Sequence, residues 1–177
     1  ENSTTVTTVK STDVDAGATA IYSIAGGADQ YLFTVDSSTG VLSFRNAPNY
    51  EDKLDAGKDN IYNVVVQVSD GNLTDTQAIA VTVTNVNEAP VITSNGGGDA
   101  ATPISIAENS TAVTTVTSTD VDALKTATYS ISGGADAAKF NINSSTGELT
   151  FASAPNREIP TDAGTNNVYD VTVQISD

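Results

Sequence analysis

Histidine and cysteine are both missing from the 177 residues, whereas Asp and Glu together number 22. Without imidazole or thiolate there is no Ser-His-Asp relay, no cysteine nucleophile and no zinc or haem site of the usual kind. What remains is oxygen chemistry: carboxylates, amides and carbonyls, which suit hard cations, calcium above all. The acids also fall into short motifs that recur. Glu1-Asn2 returns as Glu108-Asn109, Asp13-Val14-Asp15 as Asp120-Val121-Asp122, Asn49-Tyr50-Glu51 as Asn156-Arg157-Glu158, and Asp70 as Asp177. Two carboxylates could in principle serve a glycosidase, but a tandem array would then carry the same active site in every copy. The chain is therefore read as a non-enzyme.

These motifs are positioned by a repeat. Residues 1–70 align without a gap onto 108–177, an offset of 107 that carries Glu1 onto Glu108, with 44 of the 70 positions identical. Residues 71–107 occur once, finishing the first copy and beginning the second. Within each copy the pattern is β. Tyr62, Val64, Val66 and Val68 alternate with more polar neighbours, and Ile79, Val81 and Val83 alternate with Ala80, Thr82 and Thr84, as expected of strands buried on one face. Further strands are expected over 5–11, 19–24, 31–35, 41–45, 74–86 and 103–107. Turns are expected at Gly26-Gly27, at 37–40 and at Asp70-Gly71-Asn72. The Gly96-Gly97-Gly98-Asp99 stretch reads as a flexible loop, and Asp29, Asp55, Asp136 and Asp162 as turn formers. No stretch has helical periodicity, and six or seven short strands per copy describe an antiparallel sandwich.

In this order and at one period, Ala107-Glu108-Asn109, Asp120-Val121-Asp122, Asn49-Tyr50-Glu51, Val68-Ser69-Asp70-Gly71 and Asn85-Val86-Asn87-Glu88-Ala89-Pro90 resemble the bacterial cadherin-like repeat. The resemblance covers the whole chain. It implies an all-β protein of tandem seven-stranded Greek-key β-sandwiches, cadherin- or immunoglobulin-like, each one edge strand short in this window. Residues 1–86 would form a first repeat lacking its first strand, 87–90 a calcium-binding linker, and 91–177 a second repeat lacking its last strand. The resemblance also implies calcium at each junction. Glu1, Asn49, Glu51, Asn85, Asn87, Glu88, Asp120, Asp122 and Asp177 would serve one complete junction. Asp13, Asp15 and Asp70 would form one half-site, and Glu108, Asn156 and Glu158 another. The sequence departs from the family pattern at Asn85, Glu88 and Ala89 in the linker and at Asn49 and Asn156, where the loop motif commonly begins with Asp.

The composition narrows the partners. With 7 Lys plus Arg the formal charge is −15, which excludes electrostatic binding to nucleic acid and argues against anionic lipid. No apolar run is long enough for a membrane span. The chain begins with Glu1 and reads as a segment of a longer extracellular protein, secreted or attached to the cell surface. Its expected partners are neighbouring repeats of the same chain, so that it acts as a calcium-rigidified stalk of an adhesin. The open edges are filled either by adjoining segments of a longer array or by strands of neighbouring chains. A polysaccharide-binding or homophilic, self-associating module is the alternative. Against a stacking platform for sugar stands the absence of Trp and the repetition of Tyr22/Tyr129, Phe33/Phe140, Phe44/Phe151 and Tyr62/Tyr169 in register, as core residues behave.

Overall fold

The computed structural model describes residues 1–15, 19–98, 103–122 and 126–177, so Asp99 of the predicted flexible loop lies outside the described residues. The described residues form strands and three short 3-10 turns, and the chain divides into two compact units, Glu1–Val86 and Asn87–Asp177.

In the first unit the alternating pattern produces β1 (Thr5–Thr8), β2 (Ile21–Gly26), β3 (Phe33–Val35), β4 (Val41–Phe44), β5 (Ile61–Ser69) and β6 (Thr74–Thr82). They form two antiparallel sheets, ordered β1-β4-β3 and β2-β5-β6. On β5 the period of two buries Tyr62, Val64 and Val66 and leaves Ile61 and Asn63 exposed. Their inward faces meet Val9, Tyr22, Phe33, Leu42, Phe44 and Val83 in one core. Phe33 and Phe44, opposite each other on β3 and β4, stack at 4.5 Å, and Tyr62 of the other sheet meets Phe44 edge-on at 5.1 Å. This ring contact couples the two layers beyond simple area burial. The β3–β4 turn is closed by Asp36, whose Oδ1 accepts the amides of Ser38 (3.0 Å) and Thr39 (2.8 Å). Gly40 follows at φ +70°, where an added Cβ would collide with the Val9 carbonyl, so both conformation and space demand glycine.

The second unit contains β7 (Val91–Ile92), β8 (Ala112–Thr115), β9 (Ser118–Thr119), β10 (Thr128–Gly133), β11 (Phe140–Ile142), β12 (Glu148–Phe151) and β13 (Thr172–Ser176). Its sheets are β11-β12-β8, β10-β13 and β7-β9. The ring set repeats: Phe140 stacks on Phe151 at 4.5 Å, and Phe151 meets Tyr169 edge-on at 5.0 Å.

Three expectations are corrected. The strand expected over 103–107 does not form; Val91–Ile92 pairs with Ser118–Thr119 instead. Pro103 has no N–H for a ladder, and the segment attaches through the Ile106 side chain, which packs on the second core. The strand expected over 31–35 begins only at Phe33, because Gln30–Leu32 is a 3-10 turn. Finally, Tyr62 and Tyr169 are not equivalent: Tyr62 lies within the nine-residue β5, whereas Tyr169 precedes the five-residue β13 and is half-buried. Residues 61–65 of β5 find partners along β6, whereas β13 pairs only with β10 among the described residues.

Phe33 is fully buried. Its replacement by Ala is expected to cost the first unit about 3–5 kcal/mol in chemical denaturation, and a loss below about 1 kcal/mol would contradict this description of the core.

Candidate functional site

Most of the acids singled out in the sequence accept backbone amides within their own unit. In the first unit Glu1 accepts the Tyr50 amide at Oε2 and the Val86 amide at Oε1, each at 2.7 Å, and its backbone nitrogen donates to the Thr84 carbonyl at 3.1 Å. One side chain thus ties together the start of the unit, the loop carrying Asn49 and Glu51, and the exit after β6 that carries Asn85. Asn49 Oδ1 accepts the amides of Glu51 (2.7 Å) and Asp52 (3.2 Å), an Asx turn that presents Glu51 outward. Carboxylate oxygens of Glu1 and Glu51 lie within 4.8 Å of one another, a spacing at which one cation can bridge them.

The second unit gathers a different subset. Asp120 Oδ1 accepts the Asp122 amide at 2.9 Å, and Asp122 Oδ2, on a buried side chain, accepts the Glu88 amide at 2.8 Å. Asn87 Nδ2 donates to the Glu88 carbonyl at 3.4 Å. Asp120 Oδ2 is buried without a hydrogen-bond partner among the described residues. Burying a carboxylate oxygen in this way is costly unless a donor or a cation meets it. Asp177 is exposed beyond β13.

The remaining motif residues sit in each unit as the repeat requires. Asp13, Asp15 and Asp70 line one open depression of the first unit with Asp75. There Asp13 Oδ1 accepts the Asp15 amide at 2.8 Å, and Asp70 Oδ1 accepts those of Asn72 and Leu73 at 2.7 Å. The amides of Leu73 and Asn72 hold the Asp70 carboxyl below the usual carboxylate value. In the second unit Glu108 Oε2 accepts the Arg157 amide at 3.0 Å, and Asn156 Oδ1 the Glu158 amide at 2.9 Å, repeating the Glu1 and Asn49 contacts.

Every ligand atom these groups offer is an oxygen, and the set includes a close carboxylate pair and the buried Asp120 Oδ2, which has no hydrogen-bond partner among the described residues. That chemistry fits calcium, which takes six to eight oxygens in flexible geometry, and it does not suit a soft metal.

A model of the cadherin domain family matches residues 1–84 and 102–177. Human protocadherin Fat 1 is 30% identical over 173 residues, covering 94% of this chain and 4% of that protein. Mouse protocadherin Fat 4 is 35% identical over 161 residues, covering 86% of this chain and 3% of that protein. The chain therefore spans only a few per cent of the length of these relatives. Among solved structures, Drosophila N-cadherin EC1-4 is similar with a TM-score of 0.55 at 17% identity, over 87% of this chain and 36% of that one. Human protocadherin-24 EC1-2 gives 0.52 at 19% identity, over 91% of this chain and 78% of that one. At these identities the structural likeness concerns the fold.

A second group of polar residues, which the sequence presents only as turn formers, anchors the long loops behind these acids. Asp29 is buried and accepts the amides of Ala56 and Asn63, each at 2.7 Å; Asp136 is buried and accepts those of Ala163 at 2.7 Å and Asp170 at 3.0 Å. Asp55, at 0% exposure, accepts those of Asp59 (2.9 Å) and Asn60 (3.0 Å), and Asp162 those of Asn166 and Asn167. The signal available in the sequence was the repetition of Asp55-Ala-Gly-x-x-Asn60 as Asp162-Ala-Gly-x-x-Asn167.

Burial pushes the Asp55 and Asp162 carboxyls up, but the amides of Asp59 and Asn60, and of Asn166 and Asn167, outweigh it, so both sit below the usual carboxylate value. A folded pKa below the unfolded one means that the stabilisation is complete above the unfolded value and is lost as pH falls through the folded one. In chelator, the melting temperature is expected to hold from neutral pH to about pH 5 and to drop below about pH 4. The double variant Asp55→Asn/Asp162→Asn should melt lower at neutral pH and lose less on acidification. An unchanged acid slope in thermal melts followed by circular dichroism would contradict this assignment.

Proposed function

Because the chain belongs to the cadherin family, we propose that it is a calcium-stiffened segment of an extracellular adhesive protein, clamped by calcium where Val86 joins Asn87. The observation that carries this reading is the Glu1 carboxylate, which gathers the 49–51 loop and the 85–86 exit of the first unit around one pair of oxygens. The ligand set we assign is Glu1, Glu51, Asn85, Asn87, Glu88, Asp120, Asp122 and Asp177, with Asn49 framing the loop. The buried orphan oxygen of Asp120 supports the inclusion of the Asp-Val-Asp motif. Asp177 is assigned by repetition, since its equivalent Asp70 lines one depression with Asp13 and Asp15. The two remaining clusters, Asp13/Asp15/Asp70 and Glu108/Asn156/Glu158, are proposed as half-sites of weaker affinity, each drawn from a single unit.

When bound, calcium supplies a divalent charge that neutralises like-charged acids. Without it those acids repel one another and the linker is free to bend; with it the linker is stiffened. The role is mechanical rather than catalytic. Among the described residues no helix is long and apolar enough to cross a membrane, and secretion or surface attachment is part of the proposal. A bacterial source rests on the motif resemblance alone, as the relatives named above are animal proteins. No observation favours the polysaccharide reading. Among the described residues Tyr31, at 80% exposure, is the one strongly exposed aromatic, and a single ring makes no platform.

Calorimetric titration is expected to give one to three calcium ions at about 10⁻⁴–10⁻³ M, the range of extracellular modules. Glu51→Gln should weaken the tightest site about tenfold or more, since it removes a charged ligand. Small-angle scattering should give a larger maximum dimension with calcium than with chelator. An unchanged dimension would remove the mechanical role, and the absence of saturable binding would remove the metal.

A further inference from the structure

Resting on the calcium reading above, we infer that Asn60 is a positioning residue that holds the Asn49–Glu51 loop, and through it Glu1, in ligand geometry before any cation arrives. The argument is a continuous path of hydrogen bonds inside the first unit. Asp55, fully buried, accepts the Asn60 amide at 3.0 Å. Asn60 is itself 2% exposed, and its Nδ2 donates to the Tyr50 carbonyl at 3.0 Å. The amide of that same Tyr50 donates to Glu1 Oε2 at 2.7 Å. Both backbone polar groups of Tyr50 are therefore occupied, one by the buried anchor and the other by a proposed ligand. Its two neighbours, Asn49 and Glu51, are the loop's proposed contributors to the site. Nothing in the path uses the Tyr50 side chain.

The second unit repeats the arrangement with a different central residue. Asp162 accepts the Asn167 amide at 3.0 Å, Asn167 Nδ2 donates to the Arg157 carbonyl at 3.2 Å, and the Arg157 amide donates to Glu108 at 3.0 Å. Tyr50 has become Arg157 without loss of the path, as expected when only the backbone is read. Between 52 and 61, Asp55, Ala56, Gly57 and Asn60 are the residues that persist at the offset of 107. Asn60 and Asn167 also share a left-handed backbone, at φ 63° and 61°, which Asn tolerates better than other residues with a side chain. The anchor thus fixes residue type at the Asn and leaves the loop between free to vary. A loop already held in place loses less freedom when it binds, and partners behind metal ligands commonly set affinity in this way.

The test pairs Asn60→Gly with Asn167→Gly. Glycine suits the positive φ, so each substitution removes the side-chain bond without straining the backbone. Calcium affinity at the linker is expected to fall about tenfold in Asn60→Gly and to stay unchanged in Asn167→Gly, whose loop lies outside that ligand set. Both variants should lower the melting temperature in chelator. Amide hydrogen exchange in calcium-free protein should show lost protection at Tyr50 in the first variant and at Arg157 in the second. Equal affinity losses, or none, in a wild-type background that does bind calcium would overturn the inference and leave the calcium reading standing. A wild-type chain that binds none would overturn both. Should Asn60→Gly not fold, Asn60→Asp, which keeps the shape and removes the donor, is read by the same criteria.

Discussion

A carboxylate removed from water must be met by donors, and in this chain the donors are backbone amides of loops. Glu1, Asp29, Asp36, Asp55 and Asp70 each accept two or more of them in the first unit. The dependence runs both ways. The loop from β4 to β5 is long and has no regular structure of its own, so without these acceptors its amides would have no fixed partner. Asp29 reaches across 27 and 34 residues to Ala56 and Asn63, and so joins the turn before β3 to the end of that loop and the start of β5. The aromatic core holds the sheets together, but it does not shape the loops. The acids do that, and the same loops carry the residues of the proposed site.

Much of the fold was legible because it depends on faces. Period two placed the inward residues of β5, and the matched Phe and Tyr positions identified the rings that join the layers. What was not legible depends on partners. A sequence pattern shows which side of a strand is apolar, not which neighbour accepts its hydrogen bonds. Hence 103–107 reads as a strand but lacks a ladder, and Tyr169 reads like Tyr62 although it precedes its strand rather than lying within it. The same division holds for the site. The motifs named the acids, and the repeat named them twice. Asn60 looks like an ordinary loop residue: a buried carboxamide carries no charge, and its one signal in the sequence is its return as Asn167 in the repeated Asp-Ala-Gly-x-x-Asn spacing.

The net charge of −15 can be divided by the same logic. Asp29 and Asp55, with their equivalents Asp136 and Asp162, and Asp36, whose equivalent is the neutral Asn143, spend oxygens on amides and stabilise the units without any cation. Glu51 and Asp120 differ: one is presented outward from an Asx turn, and the other keeps a buried oxygen without a partner among the described residues. Glu1 belongs to both groups. Each of its oxygens accepts one amide, yet a carboxylate oxygen has a second lone pair, so holding the loop and ligating a cation are compatible in one side chain.

Asn49 shows why the family's usual Asp can be replaced there without disturbing the geometry. Its Oδ1 accepts two amides, at 2.7 and 3.2 Å, and a carboxamide oxygen makes that turn as well as a carboxylate does. Asn156 makes the same contact to Glu158 at 2.9 Å. The exchange therefore removes a negative charge from beside the proposed site while leaving Glu51 and Glu158 where the turn puts them. Charge count and loop geometry are separable variables at this position. The affinity of such a site follows from how many carboxylates surround the cation, and its existence from whether the loop is held. In the first unit the loop is held by the buried Asp55 and Asn60 and by the exposed Asn49, so its geometry does not depend on how many carboxylates stand beside it.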